Sequence, residues 1–142
     1  MGGTVVADLE MTETPSRSPV ESAKFRDWVR QPIGIIFWWG LPIGLGVSIN
    51  FSHLPLPETA SAWAVALAWM GTGCLLNALR CGRRHCVISG PVLWLGAIAA
   101  ALVAVGILSG RNALGEAVNG TIALAALSFL SERFWGPYSG RK

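Results

Sequence analysis

Residues 90–109 read GPVLWLGAIAAALVAVGILS. No charged residue interrupts this stretch, and its apolar residues do not alternate with polar ones. At 1.5 Å per residue, a helix of this length is about 30 Å long, the thickness of a bilayer's hydrocarbon core. Lipid offers no hydrogen-bond partner to a bare peptide group, so such a run is expected to cross as a helix. A barrel strand would be shorter and would alternate. Three other stretches are also apolar, the last of them carrying one acid, Glu116: Ile33–Phe51, Ala60–Leu79 and Ala113–Ser131.

The composition of the whole chain agrees. Of 142 residues, 52% are hydrophobic and 13% charged, with a mean hydropathy of +0.50. A soluble domain averages about 25% charged. An ordinary soluble domain, a disordered chain, a collagen-like fibre and a secreted disulfide scaffold are therefore excluded. The expected fold is an all-α integral membrane four-helix up-down bundle, because the links Ser52–Thr59, Arg80–Ser89 and Gly110–Asn112 are short enough to force antiparallel neighbours.

The basic residues give this bundle a direction. Arg17, Lys24, Arg26 and Arg30 precede the first span, Arg80, Arg83 and Arg84 follow the second, and Arg133, Arg141 and Lys142 follow the fourth. Of the 11 basic residues only Arg111 falls on the other face. The positive-inside rule then predicts both termini on the cytoplasmic side of the inner (cytoplasmic) membrane. The lipid bilayer is the expected partner, with a homo-oligomer or a membrane partner protein as further company. The basic pI of 9.1 implies no nucleic acid, since the charges serve as topology markers and headgroup anchors. Trp28, Trp63, Trp94 and Trp135 fall at belt positions, whereas Trp38, Trp39 and Trp69 lie deeper.

Outside the spans, residues 1–17 read as a disordered, acidic cytoplasmic tail, in which Met11 is a second possible start. Residues 18–31 read as an amphipathic juxtamembrane helix on the membrane surface. Ser18-Pro19-Val20-Glu21 has the form of a capping box, and Phe25, Trp28 and Val29 share one face while Asp27 points elsewhere. Residues 32–135 form the four-helix domain and residues 136–142 a cytoplasmic tail. No cleavable signal is expected, because the start is acidic and the first apolar run begins late. Pro42 should kink the first span, and Gly40/Gly44, Gly71/Gly73 and Gly96/Ala100/Ala104 offer close helix approach.

Few side chains could carry chemistry. Glu116 is the sole acid inside an expected span, and with Asn119 it forms a possible intramembrane polar site. The sharper feature is Asn77-Ala-Leu-Arg-Cys-Gly-Arg-Arg-His-Cys86. Cys81, His85 and Cys86, with Cys74 deeper in the second span, could hold a soft ion such as Cu(I), Hg(II) or Zn(II). Arg80, Arg83 and Arg84 would anchor lipid phosphates, fix topology and favour thiolate. The alternative is that Cys74 merely packs and the other thiols are free. The spacing is neither a standard zinc pattern nor a CxxC redox motif, and no nucleophile–base pattern, phosphate loop or carboxylate pair indicates an enzyme.

The string NALRCGRRHC…SGP, with SERFWGPY after the last span, resembles a group of small, mostly uncharacterised bacterial four-span proteins. These carry an Arg-Cys-Gly-Arg-x-His-Cys turn and a closing Glu-Arg-x-Trp-Gly, and the likeness covers residues 60–138. It implies the four-span topology rather than an activity. In size and cysteine use the chain loosely resembles mercuric-ion transport proteins, whose first span carries adjacent cysteines. Ile33–Phe51 has none. Two functions are therefore in view. One is a membrane protein that binds or transports a thiophilic metal ion through its Cys/His cluster. The other is a non-catalytic accessory or structural membrane subunit.

Overall fold

A computed structural model describes Asp27 and residues 31–136. The expected juxtamembrane helix, apart from Asp27 and Gln31, lies outside the described residues, as do the N-terminal tail, residues 137–142 and Trp28. The side chains of Ser131, Arg133 and Trp135 are likewise outside them. Among the described residues the chain is all-helical, without strands. Helix α1 spans Pro32–Phe51, α2 Leu56–Cys81, α3 Arg84–Ala104, α4 Arg111–Ser128 and α5 Leu130–Trp135. Three of them, α1, α2 and α3, are long and apolar enough to cross a membrane. Helix α4 is 18 residues long and begins with Arg111, Asn112 and Glu116 in its first two turns.

The core lies between α2 and α3. In α2, Thr59, Trp63, Ala66, Leu67, Met70, Cys74, Asn77 and Cys81 are buried, a stripe at three- and four-residue spacing along the whole helix. In α3 the matching stripe runs through His85, Cys86, Ser89, Leu93, Gly96, Ala100 and Val103. Helix α4 packs on α3, and α1 on α2. The coverage is uneven: 44% of the apolar window is buried in α2 and in α3, but only 11% in α1.

Small residues set the closest approaches, though not where the sequence placed the first of them. A Cβ on Gly71 would sit 3.1 Å from the Gly90 carbonyl oxygen, so the α2 and α3 backbones nearly touch there. A Cβ on Gly96 would sit 2.3 Å from Thr121 Oγ1 of α4. By contrast Gly44 has nothing within 4 Å, so the Gly40/Gly44 pair in α1 mediates no contact between described helices. Trp63, expected at a belt position, is buried between helices. Its ring lies over Gly46 of α1, where a Cβ would come within 2.8 Å, and its Nε1 donates to Asn50 Oδ1 at 3.2 Å.

The α2–α3 link is shorter than the expected Arg80–Ser89. Helix α2 continues to Cys81, and Gly82 ends it in the left-handed region (φ 68°), its N–H bonded to the Ala78 carbonyl at 2.8 Å. This is a glycine C-cap, a conformation that costs other residues dearly. Only Gly82 and Arg83 separate the two helices. Helix α3 then runs through Pro91 and stops at Ala104, short of the expected Ser109, with Val105–Gly110 as the connection to α4. Before Pro42, where a kink was expected, the helix makes a π turn over Ile36–Gly40, in which the Leu41 N–H reaches Ile36 O. Proline at position 42 has no N–H for the Trp38 carbonyl, and the wider turn precedes that gap in the ladder.

The Gly96–Thr121 contact gives a direct test. Gly96→Val should force α3 and α4 apart and lower stability by about 1–3 kcal/mol, whereas Gly44→Val should change little. Thermal unfolding of both variants in the same detergent decides this; equal melting temperatures would show that the contact does not hold α4.

A buried charge clasp as candidate functional site

The sequence marked the segment from Cys74 to Cys86, and the structure shows that its polar groups are organised by residues from elsewhere. Arg83, expected to face lipid, turns inward because the glycine cap and the two-residue link aim it across the end of the bundle. Its Nη1 donates to Asp27 Oδ2. Its Nε and Nη2 donate to Glu132 Oε1 and Oε2 at 3.1 and 3.3 Å, the paired geometry that suits a guanidinium to a carboxylate. One side chain thus joins the segment before α1, the α2–α3 turn and α5.

Asp27 is fully buried, contrary to its expected position away from the apolar face. Its other oxygen accepts from Asn77 Nδ2 at 3.0 Å, so both carboxylate oxygens are satisfied. Burial opposes the charge on Arg83, yet the Glu132 and Asp27 carboxylates overcome it and hold the guanidinium protonated beyond its ordinary range. Burial likewise opposes ionisation of Glu132, and hydrogen bonds from Arg83 and then His85 reverse this, keeping its carboxyl below the usual carboxylate range.

His85 is enclosed next to this pair. Its Nδ1 lies 2.6 Å from Glu132 Oε1, and its ring stacks on Phe129 with centroids 3.9 Å apart. An ionised carboxylate only accepts, so Nδ1 carries the proton. The 3.2 Å approach of Arg83 Nε to the same nitrogen is then a contact between two donors that share one oxygen. The second ring nitrogen, Nε2, faces Cys86 Sγ at 3.2 Å. Cys86, His85 and Glu132 therefore form a thiol–imidazole–carboxylate chain in the order used by nucleophile triads.

The four proposed metal ligands do not converge. Cys81 Sγ donates to the Asn77 carbonyl at 3.0 Å, within its own helix. Cys74 accepts from Ser89 Oγ at 3.4 Å. Among the described residues no three His, Cys, Asp or Glu side chains are grouped so as to hold a metal ion. No buried side-chain nitrogen or oxygen among them lacks a partner either. Arg80 is exposed and Arg84 half-buried, while Glu116 and Asn119 lie on the exposed face of α4, away from the buried stripe of Leu114, Val118 and Thr121.

A small crevice opens beside the thiols, lined by Gly34, Trp38 and Trp39 of α1, Gly73, Cys74 and Asn77 of α2, and Cys86 of α3. It has about 10 Å³ of space for a water-sized body, room for about one water molecule.

Sequence reasoning missed Asp27 and Glu132 as site residues. The available signal was that two acids stand beside span ends on the face crowded with arginines, where a charge left unpaired would be costly.

The clasp makes stability depend on pH. Because the Glu132 carboxyl is held below its unfolded value, its contribution is complete above the ordinary carboxylate pKa of about 4.3. That contribution is lost as pH falls through the lower folded value. Glu132→Gln should therefore lower the melting temperature at pH 7 and flatten the loss of stability on acidification. Arg83→Met, which strands two carboxylates, should cost about 3–5 kcal/mol. Melting curves from pH 7 to pH 3 check both; a Glu132→Gln profile parallel to wild type would remove Glu132 from the account.

No protein-family model, curated protein or solved structure matches this chain.

Proposed function

We propose that this chain is a non-catalytic accessory or structural subunit of the inner membrane. In this reading α1 to α4 cross as an up-down bundle and both termini lie in the cytoplasm. The observation that carries the proposal is the closed clasp. Arg83 joins Asp27 and Glu132, and the polar atoms around it are satisfied by one another. A site that takes up and releases an ion keeps ligands converging on an open position; here the polar groups are already paired and tie the bundle's inner end together.

Two further features support this reading. Cys86, the thiol of the thiol–imidazole–carboxylate chain, borders a water-sized crevice that has no room for an organic substrate. The outer face of α1, with Ile33, Ile36, Leu45 and Phe51 exposed, is left to lipid or to a partner helix. The competing function, a thiophilic ion bound by Cys81, His85 and Cys86 with Cys74 deeper, would require Cys81 to give up its bond to the Asn77 carbonyl and turn toward His85.

Metal analysis of the purified protein separates the two. Incubation with Cu(I) or Zn(II) and removal of excess ion should leave no stoichiometric metal, and the triple variant Cys74→Ser/Cys81→Ser/Cys86→Ser should match wild type in helicity and membrane insertion. One bound ion per chain, lost in Cys81→Ser/Cys86→Ser, would overturn the structural role. Topology reporters fused at both ends should read cytoplasmic, and one at Gly110 should read external.

A further inference from the structure

Cys74 and Cys86 stand where two helices come closest. The α2 and α3 backbones nearly touch at Gly71 and Gly90. Cys74 lies one turn beyond Gly71 and Cys86 one turn before Gly90, on facing sides of the same seam. Both side chains are buried and both line the same crevice. Ser89 Oγ at 3.4 Å orients Cys74, and Asn77 Nδ2 at 3.5 Å orients Cys86. The π turn of α1 presents Trp38 and Trp39 to the mouth of that crevice. Single-turn π irregularities of this kind frequently accompany functional positions.

We propose that Cys74 and Cys86 are a redox-active dithiol, oxidised to an intramolecular disulfide by a small neutral peroxide and stapling α2 to α3 when closed. The crevice selects the oxidant, since it admits a body of about the size of water and excludes large electron acceptors. Hydrogen peroxide is small, uncharged and able to pass through apolar surroundings. The Cys86 sulfur attacks one peroxide oxygen while His85 Nε2, 3.2 Å away, takes the thiol proton. An S–O bond forms, the O–O bond breaks, and the departing hydroxide recovers that proton as water. The Cys74 sulfur then attacks the Cys86 sulfenic acid. The S–S bond forms, the S–O bond breaks, and hydroxide leaves with the Cys74 proton as a second water. Two thiols lose two electrons and two protons, and one peroxide becomes two waters. Glu132 positions His85 throughout, with Nδ1 held so that Nε2 faces the sulfur. Cys81 takes no part, because its thiol is turned to the Asn77 carbonyl. The step is a stoichiometric modification of the chain and does not depend on the structural role proposed above.

The experiment uses the full chain in detergent or nanodiscs, treated with hydrogen peroxide and read by intact mass and by non-reducing peptide mapping. Wild type and Cys81→Ser should each lose the mass of two hydrogen atoms, yield a peptide joining Cys74 to Cys86, and revert with a small dithiol reductant. Cys74→Ser should trap Cys86 as sulfenic acid, detectable with a cyclic-dione probe. His85→Asn should slow oxidation by roughly 100-fold near neutral pH, a deficit that closes at high pH where hydroxide replaces the imidazole. A disulfide that involves Cys81, thiols that stay reduced, or irreversible over-oxidation of Cys86 in wild type would overturn the proposal. An unchanged rate in His85→Asn would remove the base. Wild type and Cys81→Ser decide the question even if Cys74→Ser fails to fold.

Discussion

A guanidinium largely withdrawn from water is costly unless its charge is met at short range and its donors are used. Arg83 satisfies both conditions with two carboxylates, Asp27 and Glu132, and much else at this end of the molecule follows from that pairing. Glu132 must be ionised to receive Arg83, and an ionised Glu132 fixes the proton of His85 on Nδ1. That in turn leaves Nε2 for Cys86. Asn77 completes Asp27 and, through its carbonyl, occupies Cys81. The positions of Cys81 and Cys86 thus depend on that charge through the side chains just named.

The rest of the bundle is held by shape. Glycines at Gly71, Gly90 and Gly96 let backbones or side chains approach to distances that a Cβ would forbid. In lipid, where apolar burial offers little preference for protein over tails, such packing is what distinguishes one helix arrangement from another. Helix α1 lacks this advantage over most of its length and touches α2 through Trp38 over Gly73, Trp63 against Gly46 and Asn50, and Phe37 against Trp69.

Much of the helical content was legible in residues 33–131, because unbroken apolar runs of bilayer length have few alternatives. The helix ends were less so. Hydropathy marks where a segment becomes apolar, not where its hydrogen-bond ladder stops, so α2 and α3 continue through Arg80 and Arg84 into the polar turn. The segment from Cys74 to Cys86 was legible as the place where chemistry-bearing side chains gather, but its organisation was not. Asp27 and Glu132 lie about 50 residues or more from Arg83 along the chain, and no local period links them. Likewise the thiol–imidazole–carboxylate order arises from residues 85, 86 and 132, which have no motif spacing. Gly44 shows the opposite error: the GxxxG spacing was plain in the sequence, yet in the fold it faces no described helix.

The clasp also has a direction in time. Asp27 is synthesised first, Arg83 follows 56 residues later, and Glu132 a further 49 after that. Until Glu132 emerges from the ribosome, the helical hairpin of α2 and α3 carries an arginine only half neutralised and a histidine with no carboxylate to orient it. This end of the bundle is therefore unfinished until the last described helix, which carries Glu132, has been made. A chain truncated before α5 would expose that half-neutralised charge to the quality-control proteases that inspect nascent membrane proteins.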